Sequence, residues 1–372
     1  MRVLCILDNL SIASGVSSIV LNLYRNMDLN RVQMDFLVCN QQKESFEEEI
    51  LQRGGKVYYT GNYLDPGQIM SAIAKSKKFF SEHGKDYDIV HLHSPTIALF
   101  TLKYAKKQGI PVRITHSHST MMSMSKIKNV INAFLIGQIK KYTNQFFACS
   151  TEAAHFLYGK KFCNTHQTEL IYNAVSCEKF LYDAETASLM REKLGVTEDI
   201  VFAHVSNYSP IKNHIFLLDV MEKFKAAGKR VKFVFVGDGP TRRSFEEEIS
   251  NRGLQEMCIF IDKTLDVAPY LFAADAVLLP SLKEGLPVIL VEGQAAGLPF
   301  FTNDTVTREV LIGQGEYISL DKDKWFEHLD RFVPLSADER RERSEAFQHS
   351  IFNIKLEAER VTEIYERLVK GE

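Results

Sequence analysis

With 372 residues, 45% of them hydrophobic, the chain is long enough for two core-forming domains and too long for one ordinary domain. The 45 basic and 47 acidic residues leave a formal net charge of −2, so no global field draws it to nucleic acid and no nucleic-acid partner is expected. Six cysteines without a C-x-x-C pair argue against a disulfide or zinc framework and fit buried free thiols in a reducing compartment.

The opening MRVLCILDNL is too short and too quickly polar for a signal peptide. The longest apolar-leaning run, Val130 to Ile139, falls short of the roughly 20 residues that a membrane-spanning helix needs. A cytoplasmic location is therefore expected. In chain order, Arg2 to Leu7 reads as a buried strand, Asp8 to Gly15 as a polar loop and Val16 to Tyr24 as a helix. Gln33 to Cys39 and Lys56 to Tyr59 are strands around a short helix, and Ile69 to Phe80 is an amphipathic helix. Ile89 to His93 and Val112 to His116 are strands on either side of a helix from Thr96 to Gln108. A longer helix is expected over Ser125 to Asn144, then strands at Phe146 to Ser150 and Glu169 to Tyr172.

Glu178 to Lys193 turns polar and charged, and its beginning reads as the linker. A second alternation follows, with strands at Ile200 to Val205, Val231 to Val236, Cys258 to Ile261, Asp275 to Ser281, Phe300 to Thr302 and Tyr317 to Ser319. Helices lie between them, and Ala337 to Lys370 is charged and helical. The repeated strand–helix order implies an α/β fold of two doubly wound, Rossmann-like domains, residues 1–178 and 179–354. Ligands of such sheets sit beyond the carboxyl ends of the strands, so the loops at Asp8–Gly15, His93–Thr96 and His116–Thr120 face one crevice.

One stretch carries most of the chemistry: KEGLPVILVEGQAAGLP, Lys283 to Pro299. Glu284 and Glu292 stand eight residues apart across a loop turning into a helix, a rise of about 12 Å. That is too far for an acid/base pair on one bond, and suited to gripping two hydroxyl-bearing ends of one long ligand. Between them lies a helix N-terminus, whose free N–H groups and dipole favour an anion.

The two consecutive domains, with YDIVHLHS (Tyr87 to Ser94), the His116/His118 loop, LIYNAVSCEKF (Leu170 to Phe180), NYSPIKNH (Asn207 to His214), FVGDGP (Phe235 to Pro240) and the Glu284–Glu292 stretch, resemble the family 4 retaining glycosyltransferases, in their capsule and exopolysaccharide branch. That resemblance implies a GT-B arrangement, with both domains facing a central cleft and the C-terminal helix, residues 355–372, crossing back onto the first domain. It implies transfer of a sugar from a nucleotide-diphosphate donor, a UDP-sugar being favoured, to a hydroxyl of a glycan or lipid-linked acceptor.

By the same resemblance, Glu284 contacts the donor sugar, with the backbone of Gly285 and Leu286 beside it. Glu292 takes the two ribose hydroxyls and Lys212 neutralises the diphosphate. Ser14 and Gly15 bring backbone N–H groups to the phosphate, Gly237 and Gly239 form the turn beneath the nucleotide, and His116 meets the sugar or the acceptor. Asn207 stands where the family usually has an arginine, with Arg242, Arg243 and Arg308 as candidates for the missing charge. This substitution leaves open a second reading, a sugar-nucleotide-binding partner protein without turnover.

The two H-x-H pairs suggest a metal, but no third ligand at a suitable spacing is visible, so neither a metal nor another cofactor is expected. The D-x-D triplets at Asp86–Asp88 and Asp321–Asp323 lie badly for a metal-dependent transferase, and the G-x-G-x-x-G of a dinucleotide oxidoreductase is absent. Lysines around Val130 to Ile136, with Lys103, Lys106 and Lys107, add an expectation of peripheral membrane contact at the inner face.

Overall fold

The computed structural model describes residues 1–12, 14–120 and 133–372. The chain divides into two compact units, Met1–Ala174 with Ile354–Glu372, and Val175–Asn353. The first boundary falls four residues ahead of the expected one, because Val175 already belongs to the second unit: its N–H donates to the Phe352 carbonyl at 2.9 Å.

The first unit is built on a parallel seven-stranded sheet ordered β3-β2-β1-β4-β5-β6-β7. Its strands are β1 (Arg2–Asn9), β2 (Gln33–Asn40), β3 (Val57–Tyr59), β4 (Ile89–Leu92), β5 (Val112–Ser117), β6 (Gln145–Ala148) and β7 (Glu169–Leu170). β1 is apolar on both faces because helices cover both, and Val3 to Leu7 are fully buried. Cys5 of β1 pairs with Phe36 on one side and His91 on the other. The chain winds outward from β1 to β3, then returns to place β4 on β1's free side. That reversal opens a crevice beyond the carboxyl ends of β1 and β4.

The helix Ile354–Lys370 completes this unit. Ile354, Ala358, Val361, Ile364 and Tyr365 form one buried stripe at helical spacing and join the core of Val3, Cys5, Val20 and Phe36. Arg31 holds its outer face through Glu359 at 2.6 Å and Glu366 at 2.8 Å.

The second unit repeats the plan with a six-stranded parallel sheet ordered β10-β9-β8-β11-β12-β13. Its strands are β8 (Ile200–Val205), β9 (Val231–Val236), β10 (Cys258–Ile261), β11 (Ala276–Leu279), β12 (Phe300–Asn303) and β13 (Gly315–Ile318). The reversal here lies between β8 and β11. Trp325 is fully buried in this core and donates its indole N–H to the Ser319 carbonyl at 3.1 Å.

Several expected elements differ. Thr96 to Gln108 is a 3₁₀ turn, Pro95–Phe100, followed by the helix Leu102–Lys107; Pro95 opens the turn. The charged tail is two helices, Ala337–Phe347 and Ile354–Lys370. They are separated where Phe352 is buried and Asn353 bridges to Val175, so the backbone between them leaves the helical path. The expected linker lies wholly in the second unit, as the 3₁₀ turn Cys177–Phe180 and the helix Ala184–Leu194. Of the helix expected over residues 125–144, the part up to 132 lies outside the described residues, and residues 133–137 and Ile139–Tyr142 are helical, with a turn at 138 between them.

Deleting residues 354–372 strips five buried apolar side chains from the first core. At roughly 1–3 kcal/mol each, this approaches the whole stability of a domain, about 5–15 kcal/mol. Calorimetry of the truncated chain is expected to lose the first unit's unfolding transition and keep the second's.

Candidate active site

In the second unit, the loops after β8 and β11 are brought together by the strand-order reversal. The Leu282 N–H donates to the Ile211 carbonyl at 2.9 Å, and the Asn213 side-chain amide donates to the Pro280 carbonyl at 3.2 Å. Asn213 adopts the left-handed conformation, φ 55°, which turns the chain from the 3₁₀ turn Pro210–Lys212 into the helix His214–Ala226. Lys212 is thereby aimed at Glu284, and its Nζ lies 2.6 Å from Glu284 Oε1. Both side chains are mostly buried, 18% and 13% exposed, so the contact is little screened by water.

Gly285 and Leu286 follow Glu284 in the loop that leads to the helix Val288–Ala295. Ile289, Leu290, Val291, Gly293, Gln294 and Ala295 of that helix are buried. A Cβ on Gly293 would meet Val277 Cγ2 at 2.7 Å, which shows how closely the helix lies on β11. Its far end is held by Arg340. That buried guanidinium donates to the carbonyls of Leu271, Phe272, Ala274 and Ala296. On this fixed helix, burial pushes the Glu292 carboxyl up to about 7, against a weaker opposing pull from Lys179.

Gly237 and Gly239 have positive φ, 141° and 156°, and make room for a neighbouring chain segment. A Cβ on Gly237 would sit 2.0 Å from the Ser206 carbonyl oxygen, and one on Gly239 2.4 Å from that of Tyr208. The two glycines therefore seat the Ser206–Tyr208 loop that carries Asn207. Tyr208 is buried under that loop and stacks on His214 at 4.2 Å, so it forms part of the core. Asn207 is exposed.

Of the three arginines, Arg242 is engaged by Glu246 and Asp262, at 2.8 and 2.7 Å, and Arg243 by Glu247 at 3.0 Å. Arg308 lies over the Tyr317 ring at 4.4 Å and pairs with no carboxylate among the described residues. Its segment is tied to the end of β11: the Asn303 amide donates to the Ser281 carbonyl, and the Thr305 hydroxyl to that of Leu282, both at 3.0 Å.

In the first unit, Ser14 caps the helix Gly15–Asn26, its hydroxyl accepting from the Ser17 N–H at 3.3 Å. Nothing lies within 4 Å of a Cβ built on Gly15. His116 falls inside β5 and is 1% exposed, because the strand continues through Ser117 and the His118 ring stacks on it at 4.1 Å. The expectation that His116 faces the crevice is thus corrected. His93 and His118 line a cavity of about 280 Å³ instead, with Asp8, Ser94, Ser117 and Ser119. Sequence spacing also hid a third imidazole: His91, His93 and His116 each bring one ring nitrogen within 4.8 Å of the others. The signal lay in the strand pairing, since the β4–β5 register sets the two H-x-H pairs side by side.

Two outcomes follow. Gly237→Ala is expected to lower the melting temperature sharply, since both the backbone angle and the Ser206 carbonyl oppose a Cβ. Glu292→Gln is expected to act with pH. A folded-state value of about 7, against 4.5 in the unfolded chain, costs the fold stability as pH rises between them, with the full cost above 7. The variant should therefore be more stable than the parent at pH 8, by about 1–3 kcal/mol, and equal to it near pH 4. Thermal melts across this range check both.

This architecture matches known proteins over its whole length. The family described as "Glycosyltransferase Family 4" matches residues 13–179, and "Glycosyl transferases group 1" matches residues 187–346. The chain is 31% identical to EpsF of Bacillus subtilis (strain 168), a provisionally assigned glycosyltransferase, over 84% of this chain and 82% of that one. It is 25% identical to the capsular polysaccharide biosynthesis glycosyltransferase CapH of Staphylococcus aureus, over 72% of this chain and 73% of that one. The crystal structure of Anabaena Alr3699/HepE in complex with UDP and glucose superposes with a TM-score of 0.80 at 16% identity, covering 98% of this chain and 99% of that one. The chain therefore belongs to the family 4 glycosyltransferases, has the Rossmann-like domains of the GT-B class, and is a glycosyltransferase enzyme of polysaccharide biosynthesis.

Proposed function

We propose that this enzyme transfers a sugar, with retention, from a nucleotide-diphosphate donor to a hydroxyl of a glycan or lipid-linked glycan. The observation that carries the reading is the mostly buried Lys212–Glu284 contact of 2.6 Å at the strand-order reversal of the second sheet. A sugar diphosphate suits that pair. Sugar hydroxyls donate to Glu284, and Lys212 turns to the phosphate oxygens, whose charge grows as the glycosidic bond breaks. A cation fixed there is worth more in the transition state than in the ground state. The N–H groups of Gly285 and Leu286 serve the sugar and the adjacent phosphate, and Glu292, once deprotonated, accepts from the ribose hydroxyls. A UDP donor is favoured by the UDP and glucose bound to Alr3699/HepE.

The acceptor belongs at the first unit's crevice, where His93 and His118 line the cavity and His116 backs them. Ser14 and Gly15 bring backbone N–H groups to the phosphate, and open space around Gly15 supports a close approach. Arg308 supplies the charge that Asn207 lacks. The new bond forms on the face the leaving group departs, and the departing phosphate takes the acceptor's proton, so positioning and electrostatics carry the rate. Lys212 and the helix start do the work of a catalytic metal, and none is expected in the transfer step.

We place the reaction in the cytoplasm, peripheral to the inner face of the membrane. Among the described residues no helix is long and apolar enough to cross a membrane. Much of the basic segment that suggested lipid contact, residues 121–132, lies outside the described residues. Lys140 and Lys141 lie over the rings of Phe162 and Tyr142, at 4.2 and 5.6 Å.

The test is release of nucleoside diphosphate from a panel of UDP- and GDP-sugars, alone and with lipid-linked glycans. Glu284→Ala and Lys212→Ala are each expected to lower kcat/KM at least about 100-fold, and Arg308→Ala to raise the donor KM. Gly15→Ala should leave the melting temperature unchanged while slowing turnover. No release from any donor, with nucleotide binding intact, would overturn the reading.

A further inference from the structure

Four histidines of the first unit, His91, His93, His116 and His118, form a constellation that sugar transfer does not use up. β4 and β5 pair His91 with Ile114 and Leu92 with Thr115, so the next position sets His93 opposite His116. Side chains two residues apart point to the same face, and His118 follows His116 as His93 follows His91. The rings stack within each pair, at 4.1 Å for His91 and His93 and 4.1 Å for His116 and His118. Across the strands, His91 Nε2 lies 3.1 Å from His116 Nδ1, and His93 Nδ1 lies 2.9 Å from His118 Nε2.

His91, His93 and His116 are buried, at 2%, 5% and 1% exposure. A neutral imidazole keeps one lone pair and is the form that ligates metals. The cluster has more ring nitrogens than partners. His93 Nε2, His116 Nε2 and His118 Nδ1 are buried and meet no hydrogen-bonding group among the described residues. An unpaired buried polar atom costs about 1–3 kcal/mol, and three in one cluster point to a missing ligand. The surroundings also resemble those of ligating imidazoles, whose second nitrogen is held by a hydrogen bond. The Tyr365 hydroxyl lies 2.6 Å from His91 Nδ1, and His118 Nε2 occupies the same position on His93. Nε2 of His93 then remains for an ion, and Nε2 of His91 reaches one by giving up its 3.1 Å contact with His116 Nδ1.

We propose that His91, His93 and His116 bind one divalent transition ion of the zinc class, with Tyr365 and His118 orienting the first two rings. Three imidazoles without a carboxylate suit zinc, cobalt, nickel or copper and do not suit magnesium or calcium. In a tetrahedral zinc site the nitrogens stand about 3.3 Å apart, so rings now within 4.8 Å close on the ion by side-chain rotation. A fourth position stays open for water or a ligand. The ion ties β4 to β5 behind the cavity that His93 and His118 line, within the first unit.

The test uses the full chain, stripped with chelator and dialysed. Zinc is titrated by calorimetry, and cobalt by the visible absorption of its nitrogen-ligated form. One equivalent is expected to bind with a Kd in the micromolar range or tighter. His93→Asn and His116→Asn should each weaken binding at least 10-fold, and His118→Asn by less. His166→Asn, at an exposed ring elsewhere on the first unit, should leave it unchanged. Absence of stoichiometric zinc binding by the parent chain overturns the proposal, whatever the variants do. So does binding that survives both His93→Asn and His116→Asn.

Discussion

Each sheet here has its first strand in the middle, and that single constraint places the chemistry. A parallel strand needs a crossover of its own, and crossovers are right-handed, so strands on the two sides of β1 must carry their helices on opposite faces. Where the winding reverses, between β1 and β4 and again between β8 and β11, no helix closes the carboxyl end of the sheet. The backbone there is free to present loop side chains and helix N-termini. Lys212, Glu284, Asp8, Ser94 and the histidines all lie on or beside these two edges.

Within the second unit, the Lys212–Glu284 contact makes a poor stabilising element and a good binding one. Removing two charges from water costs about as much as their attraction returns, so such a pair adds little to the fold. The surrounding structure bears that cost. The helix Val288–Ala295 is buried against β11, and Arg340 holds the carbonyls at its far end. Gly237 and Gly239 give the Ser206–Tyr208 loop its seat. Rigid supports of this kind let two charged side chains meet at a fixed point without each searching many rotamers. Glu292 shows a related trade. Burial on the same helix raises its proton affinity, so a ligand that hydrogen-bonds its carboxylate is paid for by desolvation already spent in folding.

The first unit uses burial differently. Four of its histidines, His91, His93, His116 and His118, are stacked in pairs, and His91 meets Tyr365 of the last helix, so that helix reaches the wall of the crevice. That helix is held by an apolar stripe and by the Arg31 bridges, and its removal would expose the histidines as well as the core.

The residues of the chain alone determined the alternation of strands and helices, the presence of two domains and the identity of the Glu284–Glu292 stretch. These are local properties: hydrophobic period, glycine and proline punctuation, and residue spacing along one helix. What the tertiary structure decided depends on segments distant in sequence. It paired Lys212 with Glu284, 72 residues later, although the family resemblance assigns each to a different part of a ligand. It showed Gly237 and Gly239 seating a loop some 30 residues earlier. It buried His116 under His118 and joined His91 to it across two strands, because the register of a sheet is set by side-chain packing over its whole face. It broke the charged tail into two helices, since the Phe352 ring and the Val175 bridge outweigh a helical pattern that is uniform in sequence.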